Sequence, residues 1–284
     1  MPFALPTERA MTTPTIQAID AHGHYGEYRR QAGDPLVDAC MSAAAKDVVR
    51  RAAACGVTHT IVSPLAGLLP RGQADAVAGN EAAFREVPQV PGLLQYVIVN
   101  PLQPRTYDQA RTMLEAPWCV GIKLHPEEHG YPIKERGEKL FAFLEELGAP
   151  VMTHSGCPNS LPADFVPFVD RYPGVRLLLA HLGNGTGDNG RADLQVRAVQ
   201  AAKHGNLWVD TSSARSLLPG LIEWAVREIG AERLLFGSDT PLYHVAMQRE
   251  RIEAAEISAE ARQMILRDNA ISFFGLKTLT NSSS

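Results

Sequence analysis

The sequence predicts a closed (β/α)8 barrel of the TIM type. Three observations predict it. Eight short apolar, β-branched runs recur along the chain, longer amphipathic stretches separate them, and most of the runs end in an ionisable residue. The runs are TIQAIDAH, VTHTIVSP, GLLQYVIVNP, CVGIKLHP, PVMTHSG, VRLLLAHLG, NLWVDTS and RLLFGSD, in that order. They are more apolar than a half-exposed sheet requires, as expected when both faces of each strand are covered. Between them, PLVDACMSAAAKDVVRRAAACG, QADAVAGNEAAFREV and EKLFAFLEELG have helical spacing. The first and third end in glycine, which suits a helix C-terminus. The last segment, EISAEARQMILRDNAISFFGL, is expected to supply the closing helices. An open doubly wound sheet is the alternative, but the first turn, HGHYGEY, lacks the GxGxxG of a dinucleotide site.

The organisation expected is a flexible lead over 1–15, one barrel domain over 16–277 and a flexible tail over 278–284. Of the 284 residues, 45% are apolar, enough for a sizeable core. A net charge of −4 without a basic run argues against nucleic-acid binding. No apolar stretch is long enough to span a bilayer. Glu8, Arg9, Pro2 and Pro6 interrupt what a signal peptide would need. Cys40, Cys55, Cys119 and Cys157 form no CxxC pair, and the first three read as small buried hydrophobes. These features point to the cytoplasm. Homo-oligomerisation is left open.

The strand ends carry the chemistry. His22 and His24 close the first run, Lys123 and His125 the fourth, His154 the fifth, His181 the sixth and Asp239 the eighth. Each alone has a bland reading, as a hydrogen-bonded rim histidine or a helix-capping aspartate. In a barrel they converge, because active sites lie at the C-terminal strand ends. Neutral imidazoles and a carboxylate hold a divalent ion and leave room for water or substrate. His22 and His24 are two apart and share a face, with Asp20 in the same parity as a candidate to orient one imidazole. Zinc is the first choice, with Mn2+, Fe2+ and Co2+ as alternatives. Arg71, Arg105 and Arg215 follow strands and are candidates to bind a substrate carboxylate. His59 and His204 read as structural, whereas His129 and His244 lie in loops near the rim.

The ordered set DAHGH, GIKLHP, THSG, AHLGN and FGSDTP resembles the amidohydrolase superfamily, in the branch that includes aminocarboxymuconate-semialdehyde decarboxylase. The resemblance runs from about Asp20 to Leu276. It implies a (β/α)8 barrel with one or two divalent metals. By motif position, His22, His24, His154 and Asp239 are the implied ligands. His181 is implied as a second-metal ligand or as the group that polarises the substrate. Lys123 matches the place of a carboxylated lysine that bridges two metals in many members. One metal is expected, since this branch usually carries one, and Lys123 and His125 then become substrate contacts. The leading expectation is hydrolysis of a small amide, ester or lactone by a metal-activated water. Asp239 would accept the water proton and His181 would polarise the carbonyl. The alternative is metal-dependent, non-oxidative decarboxylation of an aromatic or unsaturated acid.

Overall fold

The computed structural model describes residues 16–30, 32–213 and 217–276. The expected lead and tail, and Arg215, lie outside the described residues.

Eight parallel strands pair in chain order: β1 (Ala18–Tyr25), β2 (Val57–Pro64), β3 (Leu93–Ile98), β4 (Cys119–Leu124), β5 (Val151–Thr153), β6 (Leu177–Leu179), β7 (Leu207–Asp210) and β8 (Leu234–Leu235). β1 and the segment after β8 close the ring. Ala21 N donates to Phe236 O at 2.8 Å, Asp239 N to His22 O at 2.7 Å and His24 N to Thr240 O at 2.6 Å. The barrel expectation is met. The later strands are shorter than their apolar runs, because the ends of those runs leave the ladder to form the rim.

The barrel interior is a packed core. Ile19, Ala21, Ile61, Tyr96, Met152, Leu178 and Leu235 are all fully buried and belong to one cluster. Burying such an aliphatic side chain is worth roughly 1.5–3 kcal/mol. Tyr96 satisfies its buried hydroxyl by donating to Ala21 O at 2.7 Å. A larger cluster between the strands and the outer helices contains Val97, Ile122, Phe141 and Phe165.

The long helix expected over 35–56 is two helices, Pro35–Cys40 and Ala45–Ala53. Ala43 between them pairs with Gly26 in an antiparallel bridge, so the backbone there is extended. The helix Pro35–Cys40 buries no residue, and Cys40 is exposed rather than a core hydrophobe. Cys55 is half-buried, and Cys119 is buried as expected. The second helical stretch begins at Ala76, where the Asp75 side chain accepts from Ala78 N. The third, Ile133–Leu147, ends at Gly148 in the left-handed region, φ 67°. The closing segment is helical from Ala259 to Phe274, with one widened turn over Met264–Asp268.

One glycine matters to the site. A Cβ on Gly23, between the two histidines, would lie 2.4 Å from Thr60 Cγ2. Only glycine lets β1 approach β2 that closely while presenting a histidine on either side.

Candidate metal centre

His22, His24, His125, His154, His181 and Asp239 all line one cavity of about 240 Å3 at the C-terminal end of the barrel. The strand ends converge as the sequence implied. Leu65, Leu68, Leu69 and Leu242 form an apolar wall, and Tyr28, Asn184, Thr186 and Tyr243 complete the lining. Lys123 lies beneath the cavity, not in its wall: it is 1% exposed, and its Nζ is 2.8 Å from His22 Nε2.

His22 and His24 are held from behind. His22 Nδ1 donates to Asp210 Oδ2 at 2.7 Å, and His24 Nδ1 donates to the Ser63 carbonyl at 3.1 Å. Their Nε2 atoms therefore carry the lone pairs. Both face Asp239 Oδ1, at 3.4 Å from His22 and 3.1 Å from His24. Burial, then Lys123, pushes the His22 imidazole below its ordinary value, although Asp210 and Asp239 oppose it. Burial lowers His24 too. Burial pushes Asp239 up, but His22, the His24 hydrogen bond and His181 more than offset this and hold it below the carboxylate range.

Two imidazole nitrogens and a carboxylate oxygen thus converge on one point, held together by the His24–Asp239 hydrogen bond at 3.1 Å and by Lys123 behind His22. Such a set calls for a cation, and these donor types suit a divalent metal. Lys123 meets part of that demand through His22. Burial lowers its ammonium to about 8 despite Asp239 and Asp210. Among the described residues, a second group of donors, His22, His181 and Asp210, also lies within 4.8 Å. There Asp210 already accepts from the His22 ring, so the group supports the first rather than forming an independent site.

The opposite wall is built of histidines that touch each other. His154 Nδ1 is 3.0 Å from His181 Nε2, and His154 Nε2 is 3.2 Å from Cys157 Sγ. His125 stacks on His154 with ring centroids 4.4 Å apart and planes 9° apart. Its Nδ1 accepts from Glu128 N at 3.2 Å, which leaves Nε2 as the donor. Burial drives His154 and His125 well below the ordinary value, followed by His181 and Lys123 for the former and by His154 and Lys123 for the latter. His181 falls to about 4, mainly by burial. Burial raises the Cys157 thiol, assisted by Glu127, so it serves as a donor rather than a thiolate. His181 and Asp239 both have left-handed backbone, φ 74° and 58°.

Other expectations resolve differently. Asp20 does not orient an imidazole. Its Oδ1 accepts from His22 N at 3.0 Å and Ser238 N at 2.9 Å, and its Oδ2 accepts from Ser238 Oγ at 2.5 Å. The orienting carboxylate is Asp210, which also ends a strand, in NLWVDTS. The strand-end reasoning that found the histidines applies to it equally. Arg71 pairs with Glu127 at 3.2 Å and Glu128 at 2.8 Å, and exposed Arg105 lies 3.7 Å from Glu81; neither lines the cavity. His129 is buried, with its Nε2 donating to Gly67 O at 3.0 Å, and His244 borders a separate cavity. Cys157, Asn184 and the leucine wall are contributed by loops, where the sequence has no periodic signal.

The amidohydrolase family model matches residues 19–276. The chain belongs to the amidohydrolase family. A curated relative, the gamma-resorcylate decarboxylase of Rhodococcus jostii (strain RHA1), is 31% identical over 94% of this chain and 82% of its own length. Among solved structures, this amidohydrolase resembles a dihydroxybenzoic acid decarboxylase from Polaromonas sp. JS666 with bound manganese and 2-nitroresorcinol. The TM-score is 0.68 at 18% identity, covering 95% of this chain and 100% of that one. It also resembles a putative 2-pyrone-4,6-dicarboxylic acid hydrolase from Pseudomonas putida, with TM-score 0.66, 21% identity and coverage of 92% and 98%. The structural likenesses establish the shared barrel. No helix among the described residues is long and apolar enough to cross a membrane.

Proposed function

We propose that this amidohydrolase is a metal-dependent, non-oxidative decarboxylase of a small aromatic or unsaturated carboxylic acid. Of the two reactions the sequence suggests, hydrolysis leads. A curated relative that matches nearly the whole chain is a decarboxylase, and this observation carries the choice of the other. The cavity supports it: a leucine wall suits a flat ring, and the opposite side is polar.

His22 Nε2, His24 Nε2 and Asp239 Oδ1 are the proposed ligands, with His154, on the same cavity, as the fourth. When bound, a divalent ion supplies a Lewis acid that fixes the substrate carboxylate and neutralises developing charge. Manganese gains support from the Polaromonas structure, and zinc remains compatible with the donors. His125 Nε2–H faces the cavity as a donor to a substrate oxygen. Lys123, beneath His22, contributes positive charge rather than a direct contact. Asp239 relays a proton from solvent to the ring carbon that bears the carboxylate. The carbon–carbon bond then breaks, its electron pair stays with the ring, and carbon dioxide leaves. His181 borders the same space and holds His154 in place beside the substrate. The leucine wall excludes water, which strengthens each of these polar interactions. Four free cysteines and the lack of a membrane-spanning helix among the described residues fit a cytoplasmic enzyme acting on a small molecule.

The test is an assay of hydroxybenzoates, lactones and amides with manganese-loaded protein in 18O-labelled water. Carbon dioxide released in equal amount to a ring product without 18O is expected. Product carrying 18O without carbon dioxide would replace decarboxylation by hydrolysis.

A further inference from the structure

We propose that Asp210 is a positioning residue that fixes the tautomers of the site histidines through two separate oxygens, one governing His22 and the other governing His181 and His154. The proposal rests on the metal centre above only where metal affinity is read.

The hydrogen bonds set the pattern, with Ser212 Oγ also 3.2 Å from His22 Nδ1 as the longer of two contacts to that atom. Asp210 Oδ1 accepts from His181 N at 2.9 Å, Ser212 N at 2.8 Å and Ser212 Oγ at 2.5 Å; Oδ2 accepts from His22 Nδ1 at 2.7 Å. A carboxylate only accepts, so the Ser212 hydroxyl proton points at Asp210. Ser212 Oγ is then an acceptor for His181 Nδ1, 2.8 Å away. With its proton on Nδ1, neutral His181 presents a lone pair on Nε2. His154 Nδ1 must donate to it across 3.0 Å. His154 Nε2 is left with a lone pair, and the Cys157 thiol donates to that atom across 3.2 Å. One buried anion therefore dictates the protons of three imidazoles and a thiol, from β7 to the loop after β5.

Two further features fit this role. Burial alone would raise the Asp210 carboxyl, but His22, its hydrogen bond and His181 hold it below the usual range, so it remains an acceptor. A Cβ on Gly237 would lie 3.0 Å from both Asp210 Cγ and His22 Cβ, so glycine there gives the pair its room.

The two oxygens separate by mutation. In Asp210→Asn the three donors at Oδ1 retain the carbonyl. The amide nitrogen then faces His22 Nδ1 and donates to it, which moves the His22 proton to Nε2 and removes the lone pair aimed at Asp239. In Ser212→Ala, His22 keeps Asp210, while His181 and His154 lose the link that orders them.

The experiment is 15N NMR of histidine-labelled, metal-free protein, with Mn2+ titration as the second readout. In wild type, His22, His154 and His181 are expected to be protonated on Nδ1; a proton on Nε2 of His154 or His181 overturns the proposal without any variant. Asp210→Asn should shift His22 alone and weaken Mn2+ about ten- to a hundredfold, whereas Ser212→Ala should shift His181 and His154 and leave His22 protonated on Nδ1. Identical shifts in both variants, or none in either, also overturn it. Absence of decarboxylation in the wild type, with the tautomer pattern as stated, would sink the functional reading and leave Asp210 in place.

Discussion

On the β8–β1 flank, His22 and His24 rest their Nδ1 atoms on framework oxygens, the Asp210 carboxylate and the Ser63 carbonyl. On the β4–β5 flank, His154 has no such support: one ring nitrogen meets His181 and the other meets Cys157, while His125 stacks on its face. The first flank is set before any ligand arrives. The second is ordered only along a chain of neighbours, and a break anywhere along it frees the rest. Anchored groups suit a fixed cation, because preorganised donors need no rearrangement on binding. Chained groups suit contacts that must shift during a turnover.

The sharpest way to break the contrast is Asp239→Asn, which strikes the anchored flank. Turnover at saturating Mn2+ should fall about a hundred- to ten-thousandfold, the usual worth of a positioned proton carrier, with an unchanged circular dichroism spectrum. Near-normal turnover in the metal-loaded variant would remove Asp239 from proton transfer.

A change of pH addresses the chained flank. Burial pulls the His181 imidazole down from the ordinary 6.5 to about 4. Because the folded value is depressed, its contribution to stability is complete above 6.5 and is lost as pH falls toward 4. The loss amounts to about 3 kcal/mol from this group. The Tm of metal-free protein should therefore drop between pH 6.5 and 4.5, and less steeply in His181→Asn, since asparagine tolerates the left-handed backbone there. Equal slopes in the two proteins would assign the acid sensitivity elsewhere.

The smallest effect is expected from Cys157→Ala. It removes one hydrogen bond to His154 Nε2, worth about 1 kcal/mol, and frees that lone pair for a metal. Calorimetry should show Mn2+ binding about fivefold tighter. Unchanged affinity would mean that His154 stays out of the metal shell.

The barrel was legible because eight apolar runs separated by amphipathic stretches admit few architectures, and the cavity histidines were legible because they end those runs. Asp210 ends a run as well, but a single aspartate before Thr-Ser also reads as a turn, and its bond to His22 spans 188 positions. Lys123 shares the parity of His125, yet one residue pair along β4 separates a cavity wall from the layer beneath it. The break at Ala43 was invisible because alanine favours helix; pairing with Gly26 overrides that local preference. The leucine wall lies in loops, where spacing carries no information about direction.

The left-handed backbone at His181 and Asp239 has a consequence for what can replace them. Each of these residues gives up about 1 kcal/mol or more that glycine would recover. Glycine at either position would relax the backbone and at the same time remove the side chain that the cavity holds. The strain is local to the two strand ends, so it is relieved only by giving up the groups that those ends present to the cavity.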